Sequence, residues 1–185
     1  FLGSNWYAVV ATIALGALTV AHIVYAFILT AQNRSARGNE RYAVNGSSPK
    51  VEWASKNMLV LGIIVLLGIL LHLFNFWYNM MFAEIVGFEG KYSPTAGYSY
   101  IVETFKNPVF VVLYIVWLCA IWYHLSHGFW SAMQTLGING KIWFKRWKMI
   151  GLVYTTLLML GFLIVVLAFT FGCAPSLHSA CCLIH

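Results

Sequence analysis

The chain has 185 residues, of which 61% are hydrophobic and 9% charged. A soluble globular domain is about a quarter charged, so this composition excludes an ordinary water-soluble fold and indicates an integral membrane protein. The formal net charge of +6 would suit nucleic acid, but the positions of the charges give it another origin.

The sequence opens at Phe1 with no initiator Met, basic leader or small-residue cleavage site. It therefore reads as a fragment or processed product with coding sequence upstream. About 20 apolar residues cross the hydrocarbon core of a bilayer. Four runs meet that length: 6–30, 57–82, 108–133 and 149–171. All are too long for strands and lack strict alternation, and the short alternating strands of a membrane barrel are absent. The reading is an all-α transmembrane bundle forming a single domain over 1–185.

The segments between the runs set the orientation. The first and third hold nine of the eleven Lys and Arg residues: Arg34, Arg37, Arg41, Lys50, Lys56, Lys141, Lys145, Arg146 and Lys148. The second has Lys91 and Lys106 against Glu84, Glu89 and Glu103, and the tail after Phe171 has no charged side chain. Basic loops stay cytoplasmic. Topology thus accounts for the positive charge, and no nucleic-acid partner is called for. Trp6, Trp53, Trp77, Trp143 and Trp147 fall near run ends, where interfacial aromatics belong. The loop 32–52 is polar and irregular, while 87–107, with Gly90, Pro94 and Gly97, is placed to cap the outer end of the bundle.

Histidine is costly in lipid and, within a membrane helix, faces the bundle interior with a partner. A lone one is most simply a hydrogen-bonded packing residue. Here three runs carry one: His22, His72 and His124. His22 lies eight residues before Thr30 and His124 nine before Met133, on two helices running inward. At 1.5 Å per residue both sit roughly 12–14 Å from the inner end. Two neutral imidazoles at one depth can give bis-histidine ligation of a haem iron. Zinc would want three or four ligands, and no further His, Cys or acid lies at that level.

His72 comes fifteen residues after Asn57 on an outward-running helix, in the outer half. It is either structural or paired with a residue upstream of Phe1. His127, one turn past His124, either touches a haem propionate or hydrogen-bonds a neighbour. Cys119 reads as a small packing residue. Cys173, Cys181 and Cys182 in the tail form neither a C-x-x-C nor a haem-attachment motif, and His178 and His185 read as solvated.

The stretch His124-Leu125-Ser126-His127-Gly128-Phe129-Trp130, continuing to Gly137, has the pattern His-x-x-x-Gly followed by two bulky apolar residues. Together with Val51-Glu52-Trp53-Ala54-Ser55-Lys56-Asn57-Met58 and Leu71-His72-Leu73-Phe74-Asn75-Phe76-Trp77-Tyr78, it resembles the single-subunit diheme cytochrome b anchors of bacterial succinate dehydrogenases and fumarate reductases, of the type found in Bacteroidetes. The likeness runs over nearly the whole chain. It implies five helices, of which the four here are the second to fifth, in the bacterial inner membrane.

By the same resemblance His22 and His124 ligate a proximal haem b, and His72 is one ligand of a distal haem b. The partners implied are a flavoprotein and an iron–sulfur subunit on the cytoplasmic side, with menaquinone as redox partner. The chain has no dinucleotide fingerprint or cysteine cluster of its own for the dicarboxylate chemistry. Glu84 is the acid nearest His72, although an interfacial acid facing water explains it more simply. Three rival readings remain at this stage. One is a diheme cytochrome b of another quinone-linked oxidoreductase, another is a haem-free anchor, and the third is a small transporter with histidines lining its path. Against the transporter, no proline interrupts the first, second and fourth runs.

Overall fold

The computed structural model describes residues 5–37, 53–88, 90–138 and 140–172. Much of the loop 32–52, Glu89 and the tail holding Cys173, His178, Cys181, Cys182 and His185 lie outside the described residues. Every regular element among those described is helical: α1 (Trp6–Arg37), α2 (Trp53–Lys56), α3 (Met58–His72), a π-helical segment (Leu73–Phe82), α4 (Ala83–Val86), α5 (Gly97–Lys106), α6 (Pro108–Thr135) and α7 (Lys141–Thr170). Four stretches are long and apolar enough to cross a membrane: Trp6–Ala36, Met58–Val86, Pro108–Thr135 and Lys141–Thr170. At 28 to 31 residues, each exceeds the roughly 20 that the hydrocarbon core needs. This is a multi-pass membrane protein.

The helices outrun the apolar runs. α1 continues past Thr30 to Arg37, and α7 begins at Lys141, eight residues before Met149. Hydropathy marks where lipid begins, whereas Gln, Arg and Lys propagate a helix well beyond it. Asn107 starts α6 sharply: its side-chain oxygen accepts from the Val109 amide at 2.9 Å, and Pro108 occupies the first turn, where no amide is needed. Gly87 and Gly137 end their helices with φ near +77° and +75°, a conformation that side chains with a Cβ rarely adopt.

The core lies between α6, α7 and the α3–π helix, with Phe105, Val111, Tyr114, Leu118, Met159 and Val166 buried together. Membrane helices approach closely where one is small, and two glycines do this here. A Cβ on Gly68 would fall 1.9 Å from Cδ1 of Trp117, whose indole packs against α3 and donates to the Val65 carbonyl at 3.0 Å. A Cβ on Gly151 would fall 2.6 Å from Cδ1 of Phe129. Between α6 and α7, Trp122 Nε1 donates to Thr156 Oγ1 at 2.9 Å. Thr156→Val is expected to lower stability in detergent by about 0.5–1.5 kcal/mol, read as a shift of the SDS-unfolding midpoint.

The outer segment holds a helix that hydropathy did not signal. α5 is only ten residues long, too short to register against a membrane span, and it packs on α6, α7 and the π-helical segment with Tyr100, Thr104 and Phe105 buried. Tyr100 Oη donates to the Tyr92 carbonyl at 2.7 Å. Lys91 bonds Glu103 on the exposed side; this hydrogen bond raises the Lys91 pKa and lowers that of Glu103. Both groups face water, so Glu103→Gln is expected to leave the unfolding midpoint unchanged.

α1 is bound differently from the rest. None of its described side chains from Trp6 to Ala36 is buried. Cys119, expected to pack inside, instead faces outward from α6.

Candidate functional site

α6 runs antiparallel to α3 and passes α1, and His124 projects where the three meet. Its ring centroid lies 6.1 Å from that of His22, with the planes at 83°. Its Cε1 lies 3.6 Å from where a Cβ on Gly62 of α3 would be. The matched depth inferred from loop charge and helical rise thus corresponds to a facing pair. Among the described residues this is the ring contact that joins α1 to the remainder of the chain.

A purely structural histidine in this position would be hydrogen-bonded to a neighbour. His124 Nδ1 is buried with no hydrogen-bond partner, and no hydrogen bond links the two imidazoles. Ser126 Oγ, half a turn on, is buried and unpartnered as well. Leaving such groups unsatisfied costs about 1–3 kcal/mol each. Gly128 follows His124 at i+4 on the same face, and a Cβ there would meet nothing within 4 Å. The site therefore combines two facing imidazoles, an orphaned buried nitrogen and a side-chain-free strip beside it.

These features fit a haem with two axial histidines. With a metal–nitrogen bond of about 2 Å on each side, two imidazoles sharing one ion have ring centroids about 6 Å apart. Among the described residues no group of three or more His, Cys, Asp or Glu converges anywhere. An axial pair asks for two ligands only.

His127 lies one turn nearer the basic end, half-buried, its ring edge-on to Trp130 at 4.6 Å. Trp130 in turn carries Lys148 Nζ over its face at 4.4 Å. His127 and His22 are not in ring contact, so His127 sits beside the pair and not within it.

His72 stands apart, at the last α-helical position before the π-helical segment. Its ring packs against Phe76 at 5.2 Å, Trp117 at 5.6 Å and Tyr114 at 6.3 Å. Among the described residues no second imidazole faces it, and its ring contacts are aromatic. The aromatic surround and the π-helical register were not visible in the sequence. Asn75 belongs to the same group, donating from Nδ2 to Tyr114 Oη at 3.3 Å. Asn79 turns its amide back onto the carbonyls of Phe74 and Asn75, which suits a stretch whose backbone bonding departs from the α pattern. Glu84 is partly exposed on α4, past the end of that segment.

No family model, curated protein or solved structure matches this chain.

Proposed function

We propose that this protein is the membrane-anchor cytochrome b subunit of a bacterial succinate dehydrogenase or fumarate reductase, working in the inner membrane. Its role is to pass electrons between an iron–sulfur subunit and menaquinone while holding the iron–sulfur and flavoprotein subunits at the cytoplasmic face. The observation that carries the reading is the His22–His124 pair, at 6.1 Å and without a hydrogen bond between the rings. A haem b held by these two histidines would supply reversible one-electron transfer.

The chain's own residues do the rest. His22 of α1 and His124 of α6 would hold the iron. Gly62 leaves room for the His124 ring and Gly128 leaves open space one turn further on, and Trp130 and Lys148 brace the helix ends below it. The basic residues Lys141, Lys145, Arg146 and Lys148 open α7 at the same end of the bundle as Arg34 and Lys56, which offers partner subunits a positive surface. His72 is the ligand this chain would contribute to a distal haem.

The test is haem per polypeptide with a reduced-minus-oxidised spectrum of the purified protein. A low-spin b-type spectrum with a haem in the His22–His124 site is expected. A protein that takes up no haem under conditions where its helices form would overturn the reading and leave a haem-free anchor or transporter. Co-purification with a flavoprotein and an iron–sulfur protein separates this assignment from cytochromes b that serve other dehydrogenases.

A further inference from the structure

At the end of the bundle away from the basic loops lies a cavity of about 370 Å³, walled by Phe76 of the π-helical segment, Phe105 of α5, Leu118 and Ile121 of α6, and Met159 and Val166 of α7. Sites for small molecules begin at about 300 Å³, so the volume is that of a ligand site and not a packing flaw. His72 and Tyr114 are the only side chains with polar atoms among its principal lining, apart from the indole of Trp117. Two of the three already make hydrogen bonds. Tyr114 Oη accepts from Asn75, Trp117 Nε1 bonds Val65, and the His72 ring lies against Trp117.

A polar headgroup placed here would lose its water and gain few partners, which is unfavourable. The shape points the same way. The lining runs along α6 from Tyr114 to Ile121 and along α7 from Met159 to Val166. Seven residue steps on each helix amount to about 10 Å along the membrane normal. A long, apolar space parallel to the helices matches an extended hydrocarbon chain better than a flat ring.

α5 sets the depth. Its inner side gives Ile101 and Phe105 to the cavity, and its other side carries Tyr98, Ser99 and Lys106 beside the Lys91–Glu103 pair around a separate polar depression. α5 therefore lies at the level where headgroups meet acyl chains, and the cavity is immediately beneath it. Lys106, adjoining Phe105, is exposed on that other side.

We propose that this cavity holds one acyl chain of a bilayer phospholipid, lying between α6, α7 and the π-helical segment and beneath α5. The chain completes the apolar core at that end and steadies the wall on which His72 rests. The proposal is independent of the haem reading and survives its failure.

Native mass spectrometry of the full chain from mild detergent is expected to show one phospholipid that withstands washing. Val166→Phe and Ile121→Phe each push a ring into the cavity. Each is expected to lower retention about tenfold or more, because burial of the methylenes is lost. Phospholipid brominated along its acyl chain, added back to delipidated wild-type protein, is expected to quench Trp117, read as the difference from Trp117→Phe. This last measurement decides the matter if both cavity variants fail to fold. Absence of a retained lipid, equal retention in folded variants, lack of Trp117 quenching, or recovery of a quinone from the cavity instead would each overturn the proposal.

Discussion

If the pair carries a haem as proposed, His22→Ala and His124→Ala are each expected to abolish its absorbance, leaving helix content unchanged. Residues that merely orient a metal ligand contribute about 10–100-fold to affinity, so removal of the ligand itself costs at least that much. The two variants should be alike, because either leaves the iron with a single protein ligand. His127→Ala should differ from both: its ring is against Trp130 and outside the pair, so haem is retained with at most about a tenfold loss of affinity. His124→Gly with imidazole in the buffer should recover the low-spin spectrum, since the small base can occupy the space the side chain left. If His22→Ala kept full haem while His124→Ala lost it, the ligand opposite His124 would have to be another residue, and the pairing of α1 with α6 would fail as a functional statement.

Gly68→Val should be the most damaging single change away from the histidines. The added carbon atoms would enter the space of the Trp117 indole, since even a Cβ falls 1.9 Å from Cδ1 and 2.2 Å from Nε1. The ring cannot move aside without breaking its bond to the Val65 carbonyl, and the α3 backbone cannot retreat without leaving α6. Overpacking costs about 1–3 kcal/mol and an unsatisfied indole about 1–3 more. A loss of about 2–5 kcal/mol follows, visible as a much lower SDS or thermal midpoint. Gly161 provides the contrast: a Cβ there meets nothing within 4 Å, so Gly161→Ala should be neutral or stabilising by up to about 1 kcal/mol through helix propensity. Equal effects at the two glycines would show that the Trp117–α3 contact does not hold the bundle together.

The four membrane-crossing helices were legible because about 20 apolar residues in a row leave few alternatives. The meeting of His22 and His124 was legible for a simpler reason: loop charge gives direction, and a fixed rise per residue turns direction into depth. Rotation about each helix axis is a different matter. Depth alone does not say that Trp117 and Tyr114 surround His72, because that depends on which face α6 turns to α3. It depends also on the π-helical register from Leu73 to Phe82, in a stretch with no proline or glycine to announce it. α5 escaped notice because its apolar stripe of Tyr100, Ile101, Thr104 and Phe105 is set among polar residues and is half the length of a membrane span. Cys119 was misjudged on the same ground as the His72 surround: its depth was known, its facing was not.

The weak seating of α1 bears on how the protein is assembled. With no buried side chain of its own from Trp6 to Ala36, this helix adds little to the core made by α3, α6 and α7, which can close without it. Membrane helices insert independently and associate afterwards, so the packed trio forms a platform and α1 arrives as a separate piece. A flat molecule can then slip in sideways from the lipid before α1 docks, with no need to prise open a finished bundle. If the pair holds a haem as proposed, that haem is also the clasp that fixes α1 against α6.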